Sequence, residues 1–267
     1  MCKVIINADD LGMSEAFNYG VLKSLREGVA SSTTLMVNMP GAGHAVRLVK
    51  EIPGVFIGLH ANFVLGKPCA DPGLIPSMVD QNGFFHRSSD YRTGKRQFQY
   101  QEAKTELIAQ MERFKELLGY YPSHIEGHAA GNEATAKAFY DVALEYGVHT
   151  SPGIFHFEGE KPIDGYLETT SPFSPQFMMS YIKNGLTVEN VLNDDIGILR
   201  QDKNKVVELH FHPGYLDQFI LDHSSMTLVR CRDLDTLCDK RVSEWFDRNH
   251  IQLISFGDLR QYEGKGD

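Results

Sequence analysis

The chain has 267 residues, of which 42% are hydrophobic and 23% charged, a composition typical of soluble globular proteins. Its formal net charge of −9 argues against nucleic acid or an anionic membrane surface as the main partner. We expect neither a signal peptide nor a membrane span, because no apolar run approaches the roughly 18 residues that a span needs. The four cysteines form no C-x-x-C pair, so we expect reduced thiols and a cytoplasmic location.

Short apolar strands alternate with helical stretches along the chain. In chain order, we predict a strand at 3–8, a helix at 14–28, a strand at 32–37, a helix at 42–51, a strand at 54–60, a helix at 101–119, a strand at 123–127, a helix at 133–146, a further strand after Gly147, a helix at 188–201, a strand at 205–211, a helix at 226–249 and a strand at 251–255. This alternation predicts an α/β fold with parallel strands and crossover helices. A single barrel domain over 1–267 is favoured over an open sheet, because no glycine-rich phosphate loop follows the first strand.

Two stretches lack this regular pattern. Residues 66–100 are rich in proline and glycine and have few periodic apolar positions. We expect a long surface excursion there that shapes substrate choice or a subunit contact and stays outside the barrel core. Its one apolar tip is Gly83-Phe84-Phe85. Residues 151–185 are predicted to be irregular.

Acidic and imidazole side chains stand at the ends of four predicted strands. They are Asp9 and Asp10 in NADDLGMS, His60 in GLH, Glu126 and His128 in HIEGH, and His210 and His212 in ELHFHPGY. In a barrel, the C-terminal strand ends share one face, and that face carries the chemistry. Two histidines and a carboxylate can bind a divalent ion, whose charge would offset the cost of two adjacent buried acids.

Each motif also has a simpler structural interpretation. The two acids could begin a helix or face water, and each histidine could serve packing or a local salt bridge. His210 and His212 lie on one strand face, so one of them could be structural, and the segment after His212 could be a plain turn. The common position at strand ends favours a shared site over these separate explanations.

Taken together, NADDLG, GLH, HIEGH and E-L-x-x-HPGY resemble the YdjC-like carbohydrate deacetylases, which include chitooligosaccharide deacetylases. The resemblance runs from residue 3 to about 259. It implies a distorted (β/α) barrel of the polysaccharide-deacetylase type. It also implies that Asp10, His60 and His128 bind one divalent metal ion, Mg²⁺ or Zn²⁺. Asp9 would then be the general base and His212 the general acid.

The implied reaction removes N-acetyl groups from acetylated mono- or oligosaccharides such as chitooligosaccharides. The residues also suit this chemistry on their own terms. A divalent metal lowers the pKa of bound water and polarises the acetyl carbonyl, an acid takes the water proton, and an imidazole protonates the leaving amine. The neighbouring candidates for substrate binding are Asn62, Glu126, His210, Tyr215 and Arg230.

The chain departs from the family pattern close to these motifs. Glu126 stands where Asp is usual, Ala129-Ala130-Gly131 where further histidines are usual, and His210 is additional, while Asn62 replaces an apolar residue.

Two other functions stay open. The first is another metal-dependent hydrolase that acts on an amide or a phosphoester. With a phosphate substrate, such an enzyme would need additional Lys or Arg side chains at the rim of the barrel. A non-catalytic metal protein would need His212 as a fourth ligand. The sequence is compatible with a homodimer but does not decide the assembly, the sugar or the metal.

Overall fold

The computed structural model describes residues 2–151 and 155–260. The strands in these ranges are β1 (Cys2–Leu11), β2 (Ser32–Leu35), β3 (Phe56–Ala61), β4 (His124–Gly127), β5 (His149–Thr150), β6 (Thr169–Thr170), β7 (Val206–Phe211) and β8 (Ile251–Leu253). The α-helices are α1 (Glu15–Glu27), α2 (Ala42–Val49), α3 (Ser88–Arg92), α4 (Tyr100–Leu118), α5 (Glu133–Tyr146), α6 (Pro175–Asn184), α7 (Val188–Leu192), α8 (Gln218–His223), α9 (Leu228–Leu237) and α10 (Lys240–Arg248). Both ends of the predicted 1–267 domain, and 152–154 within the predicted irregular stretch, lie outside the described residues.

The strands pair in parallel in one sheet with the order β5-β4-β3-β2-β1-β7-β6. β1 is long enough to have two partners along the same edge, with β8 against its first residues and β2 against its last. The sheet curls strongly, because His149 on β5 contacts Glu208 on β7 at 3.2 Å, although these strands stand near opposite ends of the sheet. The predicted α/β fold with a distorted (β/α) barrel is therefore confirmed, and the structure shows in addition that the barrel is not completely closed.

Successive side chains of β1 point alternately to the apolar core and to the interior of the curled sheet. Val4, Ile6 and Ala8 face the main core between the sheet and the helices. Ile5 points the other way, into a small apolar cluster inside the curl with Val206, Ile254, Phe256 and Leu259. Since side chains alternate with a period of two, Asn7 and Asp9 continue the line of Ile5 toward the carboxyl end of the strand. The interior is thus apolar at one end and polar at the other.

Three predicted elements differ from those observed. The helix predicted at 226–249 is divided into α9 and α10, because the side chain of Asp239 accepts a hydrogen bond from the backbone of Arg241 and starts a new helix. The helix predicted at 188–201 ends early, since Asp194 takes a left-handed φ of 53°. The stretch 151–185, predicted to be irregular, contains α6, which is started by the Ser174 cap and a proline in the first turn.

The 66–100 segment is packed onto the barrel, which corrects the expectation that it stays outside the core. Its side chains buried in the main cluster are Ile75, Met78, Phe85, Tyr91 and Phe98. At the predicted apolar tip, Phe85 is buried and only Phe84 is exposed. The start of the segment is held by Glu106 of α4, whose carboxylate accepts backbone hydrogen bonds from Cys69 at 2.9 Å and Ala70 at 2.8 Å.

The helices of the described ranges are all too short or too polar to cross a membrane.

Replacing Glu106 by Gln should lower the free energy of unfolding by about 1–3 kcal/mol, measured by urea denaturation. Glu106 is fully buried, and each of its carboxylate oxygens accepts a hydrogen bond from a backbone N–H. In the glutamine variant, the side-chain NH₂ group would replace one of these oxygens, so that one backbone N–H would face another donor. Glu116→Gln, at an exposed position on the same helix, is the control and should change stability by less than about 0.5 kcal/mol. Equal losses in the two variants would contradict the anchoring role.

Candidate metal and catalytic site

The end of β1 brings two adjacent acids to one site by leaving regular strand geometry. Neighbouring strand residues normally point to opposite sides. Here the pairing register shifts between Ala8 and Leu11, and Asp10 adopts a left-handed φ of 65°. Gly12 follows with a φ of 95°, and its N–H donates to the side chain of Asn18 at 2.6 Å. This bend directs Asp9 and Asp10 toward the same group of histidines.

Asp10, His60 and His128 form a compact group of three ligand atoms. Asp10 Oδ1 lies 3.1 Å from His60 Nε2 and 3.0 Å from His128 Nδ1, and the two nitrogens are 3.1 Å apart. Ligands about 2.1 Å from an octahedral ion, at right angles to one another, are about 3.0 Å apart. Asp10 Oδ1 is buried and makes no well-aligned hydrogen bond among the described residues. The three residues therefore fit a divalent ion that leaves further positions open.

Arg230, a substrate-binding candidate in the sequence, holds the other oxygen of Asp10. Its Nη1 donates to Asp10 Oδ2 at 2.7 Å, and its guanidinium lies 4.8 Å above the ring of Phe17. The arginine is only 2% exposed. Burial alone would raise the pKa of Asp10, but His128 and Arg230 outweigh it and hold the pKa well below its usual value. Asp10 is therefore kept ionised.

His210 connects three carboxylates beside this group. Its Nδ1 lies 2.9 Å from Glu126 and 3.6 Å from Asp9, and its Nε2 lies 3.2 Å from Glu208. Burial opposes a charged ring, but Glu126 and Asp9 raise the pKa of His210 well above its ordinary value. Asp9, Glu126 and His210 also lie close enough for a metal. Because both ring nitrogens face carboxylates, we interpret His210 as an imidazolium ion and not as a ligand.

His212 lies at the mouth of the site, one residue beyond β7. Its Nε2 is 4.0 Å from Asp9 Oδ2, and it is not part of the Asp10–His60–His128 group. Burial lowers the pKa of His212 to about 4, although the charges of Asp10 and Asp9 oppose that shift. The ring is therefore neutral near pH 7 before a substrate arrives.

The loop that carries His212 rests directly on α1. A side chain at Gly214 would collide with the ring of Phe17, at 1.9 Å from the nearest ring atom. A side chain at Gly20 would lie 2.5 Å from the backbone of Gly214. Gly214 is not among the glycines with left-handed φ, so a glycine is needed there for this close approach and not for a positive φ. The two glycines thus allow the loop that carries His212 to lie close against α1.

The other two substrate-binding candidates differ in their surroundings. Asn62 is fully buried, and its side-chain oxygen accepts hydrogen bonds from the backbone of Val64 and Leu65, both at 3.1 Å. Its contacts shape the turn after β3. Tyr215 is 43% exposed and follows the loop of His212. Tyr215 therefore stays a candidate for substrate binding on the basis of its exposure.

Comparison with known proteins identifies the family. The family model described as YdjC-like protein matches residues 3–248. This chain belongs to the YdjC-like family. The resemblance inferred from NADDLG, GLH, HIEGH and ELHFHPGY is therefore confirmed.

Relatives and solved structures resemble this YdjC-like chain over nearly its whole length. Carbohydrate deacetylase 2 of Listeria innocua is 34% identical, covering 96% of this chain and 98% of its own. A carbohydrate deacetylase of Geobacillus stearothermophilus is 31% identical, covering 94% and 96%. A crystal structure from Enterococcus faecalis, provisionally named for cellobiose-phosphate cleavage, has a TM-score of 0.80 at 23% identity and covers 97% of this chain and 99% of its own. A peptidoglycan N-acetylglucosamine deacetylase has a TM-score of 0.50 at 16% identity and covers 99% and 90%. The two structures show likeness of fold.

Several residues of this YdjC-like site were missed in the sequence. Asn7 donates to Asp9 Oδ1 at 2.5 Å, and Glu208 contacts His210. Both precede their partners by two positions on a strand, so the period of two could have revealed them. Tyr181 and Asp233, which surround His212, lie far away in the chain and carry no local signal.

The chain should bind one divalent ion per molecule, measured by isothermal titration with Zn²⁺ or Mg²⁺ and by elemental analysis. His60→Ala and His128→Ala should each lower metal affinity sharply, since each leaves only two protein ligands. His156→Ala, at an exposed position, is the control and should bind like the parent. Two tightly bound ions per chain would contradict the imidazolium interpretation of His210, and unchanged occupancy in both ligand variants would contradict the site.

Gly20→Ala should destabilise the fold by about 1–3 kcal/mol in urea denaturation, because the new methyl group meets the backbone of Gly214. Gly43→Ala is the matched control, since Gly43 also lies in a helix and a side chain there meets nothing within 4 Å. It should raise stability by up to about 1 kcal/mol through helix propensity alone. A stabilising Gly20→Ala would show that α1 does not contact this loop closely.

Proposed function

We propose that this YdjC-like chain is a carbohydrate deacetylase that hydrolyses N-acetyl groups of acetylated mono- or oligosaccharides with one divalent ion, Mg²⁺ or Zn²⁺. The observation that carries the proposal is the group of Asp10, His60 and His128 beside a separate buried acid and a neutral histidine at the mouth. Relatives named carbohydrate deacetylase, at 29–34% identity over nearly the full length, support the same class of enzyme.

Asp10, His60 and His128 are the residues that would hold the ion. When bound, such an ion lowers the pKa of a water molecule and polarises the acetyl carbonyl. The protein supplies the orientation, because Arg230 fixes the second oxygen of Asp10 and Thr34 Oγ1 lies 3.3 Å from His60 Nδ1. Such second contacts hold each ligand in the rotamer that the ion requires.

Asp9 is the proposed general base. Burial alone would raise the pKa of Asp9, but the hydrogen bond and the charge of His210 lower it well below its usual value. Asn7 also donates to Asp9 Oδ1, which leaves Oδ2 as the oxygen nearer to His212. Asp9 Oδ2 would accept the proton of the attacking water.

His212 is the proposed general acid for the leaving sugar nitrogen. An amine leaves a tetrahedral intermediate poorly unless it is protonated. Because the ring of His212 is neutral near pH 7, it must gain a proton during the reaction. Asp9 Oδ2 lies 4.0 Å from His212 Nε2, so the proton taken from water can be the one delivered to the amine. One water and one amide then yield acetic acid and the free amine, which at neutral pH become acetate and the ammonium form, with no proton left over.

The two rival functions are less well supported by this geometry. A phosphoester hydrolase needs cationic side chains that face the phosphate of the substrate. Arg230 is engaged by Asp10, and the ammonium of Lys67 lies 4.9 Å from the ring of Phe84. A purely structural metal site would be closed by four protein ligands, whereas His212 stands outside the group of three.

Acetate release from N-acetylglucosamine and its oligomers tests the proposal. Asp9→Asn and His212→Ala should each lower turnover by roughly 10²–10⁴-fold, because each removes one partner in proton transfer. Both variants should retain the metal. The chelator-treated parent should lose activity and regain it when the ion is restored.

His223→Ala is the control for His212→Ala, since His223 is exposed and lies outside the site. Metal loss in proportion to activity in His212→Ala would show that His212 is a ligand and not the acid. Turnover of phosphodiesters without turnover of any acetylated sugar would overturn the proposed function.

A further inference from the structure

The hydroxyl of Tyr181 lies between the ring of His212 and a buried carboxylate. Its oxygen is 2.8 Å from His212 Nδ1 and 2.6 Å from Asp233 Oδ2. Tyr181 is 3% exposed and Asp233 is fully buried. This contact involves the ring nitrogen of His212 that points away from Asp9.

Asp233 is surrounded by donors. Its Oδ1 accepts the backbone N–H of Leu186 at 2.8 Å, and its Oδ2 accepts the backbone N–H of His212 at 3.0 Å as well as the hydroxyl of Tyr181. Three donors favour the ionised carboxylate, which can only accept. Burial raises the pKa of Asp233 to about 6, so the ionised form still predominates at neutral pH.

The direction of each hydrogen bond follows from counting protons. A phenol has one proton to donate, and the carboxylate of Asp233 takes it at the shorter distance. The oxygen of Tyr181 can then only accept from the ring, so His212 Nδ1 must carry a proton. The neutral ring is therefore the Nδ1–H tautomer, and its Nε2 lone pair faces the mouth of the site and Asp9.

The surroundings of Tyr181 hold this geometry in place. Its ring packs edge to face on Phe211 with centroids 5.7 Å apart and lies nearly parallel to Phe177 at 6.1 Å. Through Asp233, α9 is bonded both to the segment that follows α6 and to the backbone of His212. The phenol can therefore not turn away without breaking packing on two sides.

We propose that Tyr181, held by Asp233, is a positioning residue that fixes His212 as the Nδ1–H tautomer. The tautomer follows from the hydrogen bonds alone, and only its role in catalysis rests on the proposed function. With Nδ1 already protonated, Nε2 is the nitrogen that accepts a proton and then gives it to the leaving amine. The Tyr181 oxygen also stabilises the imidazolium that forms between these two steps.

The tautomer can be measured without any activity. Long-range ¹H–¹⁵N correlation spectra of the full-length, Zn²⁺- or Mg²⁺-loaded protein, labelled at histidine, distinguish protonated from unprotonated ring nitrogens. The signal of His212 is assigned from its loss in His212→Ala. We expect Nδ1–H in the parent and a shift toward Nε2–H in Tyr181→Phe, which removes only the oxygen. An Nε2–H tautomer in the parent, or no change in Tyr181→Phe, would overturn the inference.

Kinetics provide the second measurement. Tyr181→Phe should lower kcat by about 10-fold, with KM and metal content nearly unchanged, because only part of the contribution of His212 is lost. In a His212→Ala background the same substitution should have no further effect. Equal losses in both backgrounds would indicate a structural role and overturn the inference.

Tyr91→Phe is the control for the substitution itself. Tyr91 is 8% exposed, and its hydroxyl has no hydrogen-bond partner among the described residues. Tyr91→Phe should therefore leave kcat unchanged. If the parent deacetylates no sugar but the tautomer shift in Tyr181→Phe is observed, the positioning role stands and the proposed function fails.

Discussion

The burial of several carboxylates side by side is the constraint on which the rest of this site depends. Asp9 is 2% exposed, and Asp10 and Glu208 are fully buried. Removing an unpaired carboxylate from water costs several kcal/mol, so each one needs a partner of its own. Arg230 contacts Asp10, and His210 lies between Glu208 and the Asp9 side of the site. The positive charge of a bound divalent ion would complete this balance.

Two residues that the motif resemblance sets apart, His210 and Glu126, are in direct contact. Their side chains meet at 2.9 Å. The longer side chain of glutamate has the reach to meet the ring, and the ring supplies the cation that a buried carboxylate requires. Burial, followed by the charge of Asp9, raises the pKa of Glu126 to about 7. The pair is therefore one electrostatic unit beside Asp9, and it leaves Asp10, His60 and His128 free to act as ligands.

The fold places this unit by means of one strand. β1 pairs with β2, β7 and β8. It presents apolar residues to the helices and, beyond Ile5, polar residues to the interior of the curl. Its end departs from strand geometry at Asp10, where a left-handed residue costs of order 1 kcal/mol or more. The contacts of Arg230 and the close packing around Gly12 hold that conformation. Local strain is thus located where two acids must serve one site.

Local patterns in the sequence determined a large part of this protein. The alternation of strands and helices determined parallel pairing, and the positions of Asp9, Asp10, His60, His128 and His212 at strand ends placed them on one rim. These properties can be read locally because they depend on periods of two and 3.6 residues and on chain order. The family followed from four short motifs for the same reason.

Tertiary structure alone decided the partners of those residues. Arg230 lies 220 positions from Asp10, and Tyr181 lies 31 positions from His212, so no local period connects them. Packing also decided that the 66–100 segment joins the core, because its buried side chains are irregularly spaced and have no period to show. Burial and charge, which decide that His212 is neutral and His210 charged, exist only after distant strands have come together.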